Sequence, residues 1–162
     1  MPLRDWIQEF RKLHELARKG ELAGAELAEY HRAREELATA LLSAQQLDLK
    51  AGQQARQSLR VQRTLQVDLV ISAGSKLRSM TLDVSIGGFA AMLGYSPAVG
   101  ESAEIVLRMP ADAPISAHAT VGGTKRYNGA YRVSFVFVQL PDAARERIEF
   151  LVFDTVLEAL KL

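Results

Sequence analysis

Leu65-Gln66-Val67-Asp68-Leu69-Val70-Ile71 is followed by Ala73-Gly74-Ser75 and then by a second run from Leu77 to Leu82. This stretch decides the fold. Leu65, Val67, Leu69 and Ile71 alternate with Gln66, Asp68 and Ser72, the period-two pattern of a strand with one apolar face. Ala73-Gly74-Ser75 supplies the turn that lets the second run pair back on the first.

The same grammar continues downstream. Phe89 to Leu93 is a short apolar run, Glu104 to Arg108 places Ile105 and Leu107 on one face, and Ile115, Ala117, Ala119 and Val121 alternate again. Asn128-Gly129 is a hairpin signal, after which Tyr131, Val133, Phe135 and Phe137 alternate with Arg132 and Ser134. Six short strands separated by turns predict a small antiparallel barrel. From Ala143 to Leu162 the spacing becomes helical. Ile148, Leu151, Val152, Thr155, Val156 and Leu160 lie along one side, and Phe150, Phe153 and Leu157 along a second, so this helix is expected to be covered from two directions.

Upstream, the pattern is helical twice over. Leu3, Trp6, Phe10, Leu13 and Ala17 recur at spacings of three and four, with Ile7 and Leu16 widening the stripe and Gly20 as the stop. A second helix starts near Gly24, with Leu27, Tyr30, Leu37 and Leu41 as its stripe and Arg34 where another apolar residue is expected. The expected organisation is α+β: a helical hairpin over 1–47, a linker over 48–62, and a six-stranded barrel with C-terminal helix over 63–162. Two isolated helices bury little surface, so the hairpin is expected to act as an oligomerisation or partner module, giving a homo-dimer or other homo-oligomer.

Charge and composition narrow the function. The 162 residues carry a net charge of +1 and no cysteine, which excludes a disulfide scaffold and thiolate metal sites. The expected setting is cytoplasmic, with no signal core and no membrane span. Residues 51–80 hold five basic side chains, Arg56, Arg60, Arg63, Lys76 and Arg78, against Asp68 alone, a net of +4. Such a local patch suits a small anion better than a nucleic-acid track, and few aromatics accompany it, so DNA binding is disfavoured. His14, His31 and His118 show no metal-ligand spacing, and Gly122-Gly123-Thr124-Lys125 follows a strand without opening a helix, so it is no phosphate loop. No nucleophile–base pair is identifiable, and no catalytic residue is assigned.

Two motifs flank the first strand pair: Arg56-Gln57-Ser58-Leu59-Arg60 before it and Asp83-Val84-Ser85-Ile86-Gly87-Gly88 at its end. Guanidinium forks suit phosphate oxygens and the O6/N7 edge of guanine, while a carboxylate accepts from the N–H groups on guanine's opposite edge. Ser85 adds a hydroxyl, and Gly88 permits close backbone approach or positive φ. Either motif alone is commonplace, a solvated helix face or a local turn; their order and spacing, with Arg60 and Asp83 23 apart, is more specific.

On these residues the chain resembles the PilZ family, whose signature is Arg-x-x-x-Arg followed some two dozen residues later by Asp/Asn-x-Ser-x-x-Gly. The resemblance covers about residues 53–160 and leaves the hairpin outside. It implies a receptor for the bacterial second messenger cyclic di-GMP, with no other cofactor. Arg56 and Arg60 would grip phosphate and guanine, Asp83 and Ser85 would hold a base, and Gly88 would shape the turn. Arg63 and Gly87 are secondary candidates. The chain departs from the family where Ala55 precedes Arg56 and where Val133 stands two before Phe135 in place of a common glycine. The first departure bears on affinity and on whether one ligand molecule or a stacked pair binds. The implied mechanism is capture of the arginine linker by ligand, with relay through the hairpin to a protein partner. The alternative is a PilZ-fold adaptor acting through protein contacts alone.

Overall fold

The computed structural model describes residues 2–47, 58–72 and 74–160. Two helices, six strands and a third helix follow in order: α1 Leu3–Arg18, α2 Gly24–Leu47, β1 Gln66–Ile71, β2 Lys76–Ser85, β3 Gly88–Leu93, β4 Ser102–Leu107, β5 Ile115–Tyr127, β6 Ala130–Val138 and α3 Asp142–Ala159. They form two units. One comprises the hairpin and the chain from Val156; the other runs from Arg60 to Thr155.

Within the first unit, α1 carries Asp5 in its first turn and Arg18 in its last, each matched to the helix dipole. It stops as expected at Gly20, which takes a φ of 72° while its N–H and that of Glu21 bond the carbonyls of Ala17 and Leu16. The buried face of α1 is Ile7, Phe10 and His14, a slight rotation from the anticipated stripe, and leaves Leu3 exposed. Phe10 stacks on Tyr30 at 5.7 Å, and His14 Nδ1 lies 2.7 Å from the Tyr30 hydroxyl. Arg34 takes an apolar place because its guanidinium lies 5.1 Å from the centre of the Tyr30 ring, a planar cation on a π face. Arg11 donates to the carbonyls of Leu157 and Leu160 at the C-terminal end of α3.

The second unit is a closed antiparallel barrel of order β1-β2-β3-β6-β5-β4, which leaves no open sheet edge. Val67, Leu69, Val84, Phe89, Ile105, Leu107, Val121 and Phe135 fill it, each nearly inaccessible, and Phe89 stacks on Phe135 at 5.0 Å. Strands β2 and β5 run further than their alternation suggests because each contains a bulge, between Thr81 and Asp83 and between Val121 and Gly123, that breaks the period. The segment Gly122-Gly123-Thr124-Lys125 therefore lies inside β5 rather than after a strand. Asn128 and Gly129, with φ of 47° and 81°, close the β5–β6 hairpin as a two-residue turn. Among the described residues no helix is long and apolar enough to cross a membrane.

Candidate functional site

The chain reaches the barrel beside the end of β2. Val61 pairs antiparallel with Val84, exchanging two backbone hydrogen bonds of 3.0 and 2.9 Å. Thr81, buried at the bulge, holds the next few residues: its hydroxyl donates to the Arg63 carbonyl at 2.6 Å and accepts from the Leu65 N–H at 2.8 Å. The Thr81 N–H donates in turn to the Leu65 carbonyl at 2.8 Å.

This register brings the two sequence motifs together. With Val61 opposite Val84, Arg60 stands beside Ser85 and Gln62 beside Asp83. Val61 and Val84 are buried in the barrel wall, so Arg60, Asp83 and Ser85 share the opposite, outer side. Arg60 is partly exposed, and Arg63 follows it on the Thr81 clasp. Arg56 lies outside the described residues.

The β2–β3 turn holds the rest. Ser85 and Gly88 are paired across the hairpin. The buried Ser85 hydroxyl accepts from the Gly87 N–H at 3.2 Å and donates to the Gly88 carbonyl at 3.3 Å. On the far side, the Phe137 N–H donates to the Gly87 carbonyl at 3.0 Å. Gly88 is required for space rather than for positive φ: a Cβ there would overlap the backbone carbonyl oxygen of Phe135 on β6. The glycine is thus what lets β3 close against β6 directly under the turn.

Asp83 has a neighbour that the motifs do not announce. Its Oδ2 pairs with Nη2 of Arg132 on β6, and its side chain is only 13% exposed. Sequence spacing gives no signal for this pair, because the two residues are 49 apart and meet only through the barrel register. A second charged cluster sits on the outer face of β1. There Asp68, nearly inaccessible, bonds Arg108 Nη2 at 2.8 Å and Arg78 Nε at 3.1 Å, with Lys76 Nζ 3.7 Å away. The Arg108 bond, reinforced by Arg78 and Lys76, holds its carboxyl below the ordinary value of 3.8 against the opposing effect of burial. Three of the basic side chains beyond the arginine motif are therefore committed around this carboxylate. Among the described residues no group of His, Asp or Glu is placed to hold a metal ion.

The outer face beside the β2–β3 turn thus offers guanidinium donors, one carboxylate acceptor and a turn with no side chain at Gly88. That set can bind an anion bearing a donor-rich edge, such as a purine nucleotide; it contains no assembled nucleophile and base.

A family model described as "PilZ domain" matches residues 54–154. Among solved structures, the inhibitor of motility MotI/DgrA of Bacillus subtilis superposes with a TM-score of 0.61 at 20% identity, covering 67% of this chain and 55% of that one. The PilZ domain of Escherichia coli YcgR, solved with c-di-GMP, gives a TM-score of 0.56 at 21% identity over 65% of this chain and 95% of that one. The c-di-GMP complex of K. pneumonia MrkH gives 0.57 at 20% identity over 66% and 55%. The chain thus spans about half the length of MotI and of MrkH. No curated protein matches the sequence.

Proposed function

Because the chain belongs to the PilZ domain family, matched over residues 54–154, we propose that it is a receptor for cyclic di-GMP. The observation that carries this reading is the Val61–Val84 bridge, whose register sets Arg60 beside Ser85 and next to Asp83. Arg60 would donate to a phosphate or to guanine O6 and N7. Asp83 would accept from guanine N1–H and the exocyclic amine, and Ser85 with Gly88 would bring the backbone close to the base. The c-di-GMP complexes of the YcgR domain and of MrkH, which share the fold, support this choice of ligand.

Arg56, four residues before Arg60, would complete the clamp when ligand binds. The segment bearing both arginines joins hairpin and barrel along the chain, so its capture would be felt by the hairpin. That coupling would carry the signal to a protein partner.

Calorimetry of the full chain with cyclic di-GMP tests the proposal. Wild type should bind saturably. Arg60→Ala, which removes charge-assisted hydrogen bonds of about 1.5–3 kcal/mol, should weaken binding at least tenfold. Binding that survives the combined loss of Arg56 and Arg60 refutes the site. No binding by folded protein even at millimolar ligand favours the adaptor reading.

A further inference from the structure

Arg132 and Asp83 are not strand neighbours. Asp83 pairs with Ala90 on β3, whereas Arg132 pairs with Met92 on the far side of the same strand. To meet, the arginine crosses β3, a span of about 10 Å from strand β6 to strand β2. The crossing passes close to Ala90, which alternates outward from the buried Phe89 yet is 0% exposed. A methyl group at that position leaves room for a side chain to lie across it. Arg132 itself is only 35% exposed. It bonds one carboxylate oxygen, Oδ2, and among the described residues no donor reaches Oδ1.

We propose that Arg132 is a positioning residue of the nucleotide site: it anchors Asp83 through Oδ2 so that the open edge of the carboxylate meets the N1–H and exocyclic amine of guanine. The inference rests on the cyclic di-GMP reading and concerns its base selectivity. A carboxylate on two free torsions must be ordered when ligand binds, whereas one held by a guanidinium is already ordered, which lowers the cost of binding. The anchor gives most to a base that offers two donors to the carboxylate, and less to a base that offers one.

The test compares cyclic di-GMP with cyclic di-IMP, whose hypoxanthine keeps N1–H and lacks the amine, by calorimetry on the full chain. Arg132→Gln should weaken cyclic di-GMP roughly tenfold and cyclic di-IMP less, narrowing the ratio between them. Arg132→Lys should recover part of the ratio. In an Asp83→Asn background, Arg132→Gln should cost nothing more, because the group it positions is gone. Wild-type or tighter binding of cyclic di-GMP by folded Arg132→Gln overturns the inference. So does an equal loss for both ligands that adds to that of Asp83→Asn. If Arg132→Gln does not fold, Arg132→Lys decides: an unaltered ratio and affinity overturn the inference, a reduced ratio supports it. Failure of wild type to bind cyclic di-GMP refutes the receptor reading itself, while wild-type binding with an indifferent Arg132 refutes only this step.

Discussion

Substituting Gly88 by alanine tests whether the site is built by close approach of two strands. The added Cβ would overlap the Phe135 carbonyl oxygen and lie 3.0 Å from its carbon and 3.2 Å from the Val136 Cα. All three are backbone atoms, so no rotamer change relieves the overlap. The turn cannot retreat freely either, since Gly87 is bonded to Phe137 and Ser85 to Gly88. Relief requires β3 to part from β6 at its first pair, Gly88 with Val136. Overpacking of this kind costs on the order of 1–3 kcal/mol. At about 2 kcal/mol, a chain of this size should melt roughly 4–8 °C lower. Cyclic di-GMP affinity should fall as well, because Ser85 and Asp83 on β2 are paired directly with Gly88 and Ala90 of the displaced strand. Urea and thermal unfolding followed by circular dichroism give the stability change. Gly123→Ala is the internal control: it has no atom within 4 Å and no left-handed φ, so restricting the unfolded chain should raise stability by about 0.4–1 kcal/mol. A Gly88→Ala protein as stable as wild type, or an equal loss at both glycines, refutes the reasoning.

Thr81→Val should cost about 1–3 kcal/mol in urea unfolding, since it strands the buried Leu65 N–H and Arg63 carbonyl, and Thr81→Ser should recover most of it. Asp68, whose carboxyl is lowered in the folded state, contributes stability above its unfolded value of 3.8 and loses it as pH falls through the folded value. Asp68→Asn should therefore be less stable than wild type at pH 7, with the gap closing below about pH 4 in parallel melts. Lengthening the β1–β2 turn by Gly-Ser between Gly74 and Ser75 should leave nucleotide affinity unchanged, for loop closure grows slowly with length. One residue inserted between Arg60 and Val61 should abolish binding by turning Arg60 to the other face. Sedimentation of the full chain should give a dimer or larger, and a truncation starting near Leu49 a monomer; a monomeric full chain would contradict the hairpin's assigned role.

The barrel was legible because its strands obey period two at Leu65–Ile71 and Tyr131–Phe137, where one face is core and the other is not. Legibility failed where that condition failed. Bulges at Leu82 and Gly122 shift the period, so β2 and β5 read as shorter than they are. Arg34 read as a polar interruption because nothing in the α2 stripe shows that its guanidinium lies over the Tyr30 ring one turn away, and the burial of His14 was not read because its partner, the same tyrosine, lies on the other helix. Of the candidate site, the residue types come from the two motifs, and so does the glycine. The reason for Gly88 does not, since the carbonyl it must clear belongs to Phe135, three strands further along in chain order. Arg132 was invisible for the same reason. Local pattern reports which face a residue takes, and only register reports what stands opposite.

Register also explains why the two halves of the motif are separated by a spacing that is approximate rather than fixed. The Val61–Val84 bridge nearly continues the β1–β2 pairing that ends at Gln66 and Met80, with five steps on the incoming side and four on the other. Arg60 and Asp83 therefore stand at the two open ends of one hairpin, and their separation of 23 positions measures twice its length plus its turn. The turn can lengthen without moving either end. What cannot change is the parity between Arg60 and the bridge, because side chains alternate faces at each residue. Thr81 guards that parity: its single hydroxyl holds the irregular stretch from Arg63 to Leu65 against the bulge, where no regular ladder would fix it. The proposed binding face thus depends less on a distance along the chain than on one buried hydroxyl and one backbone bridge that keep an arginine on the outside of a barrel.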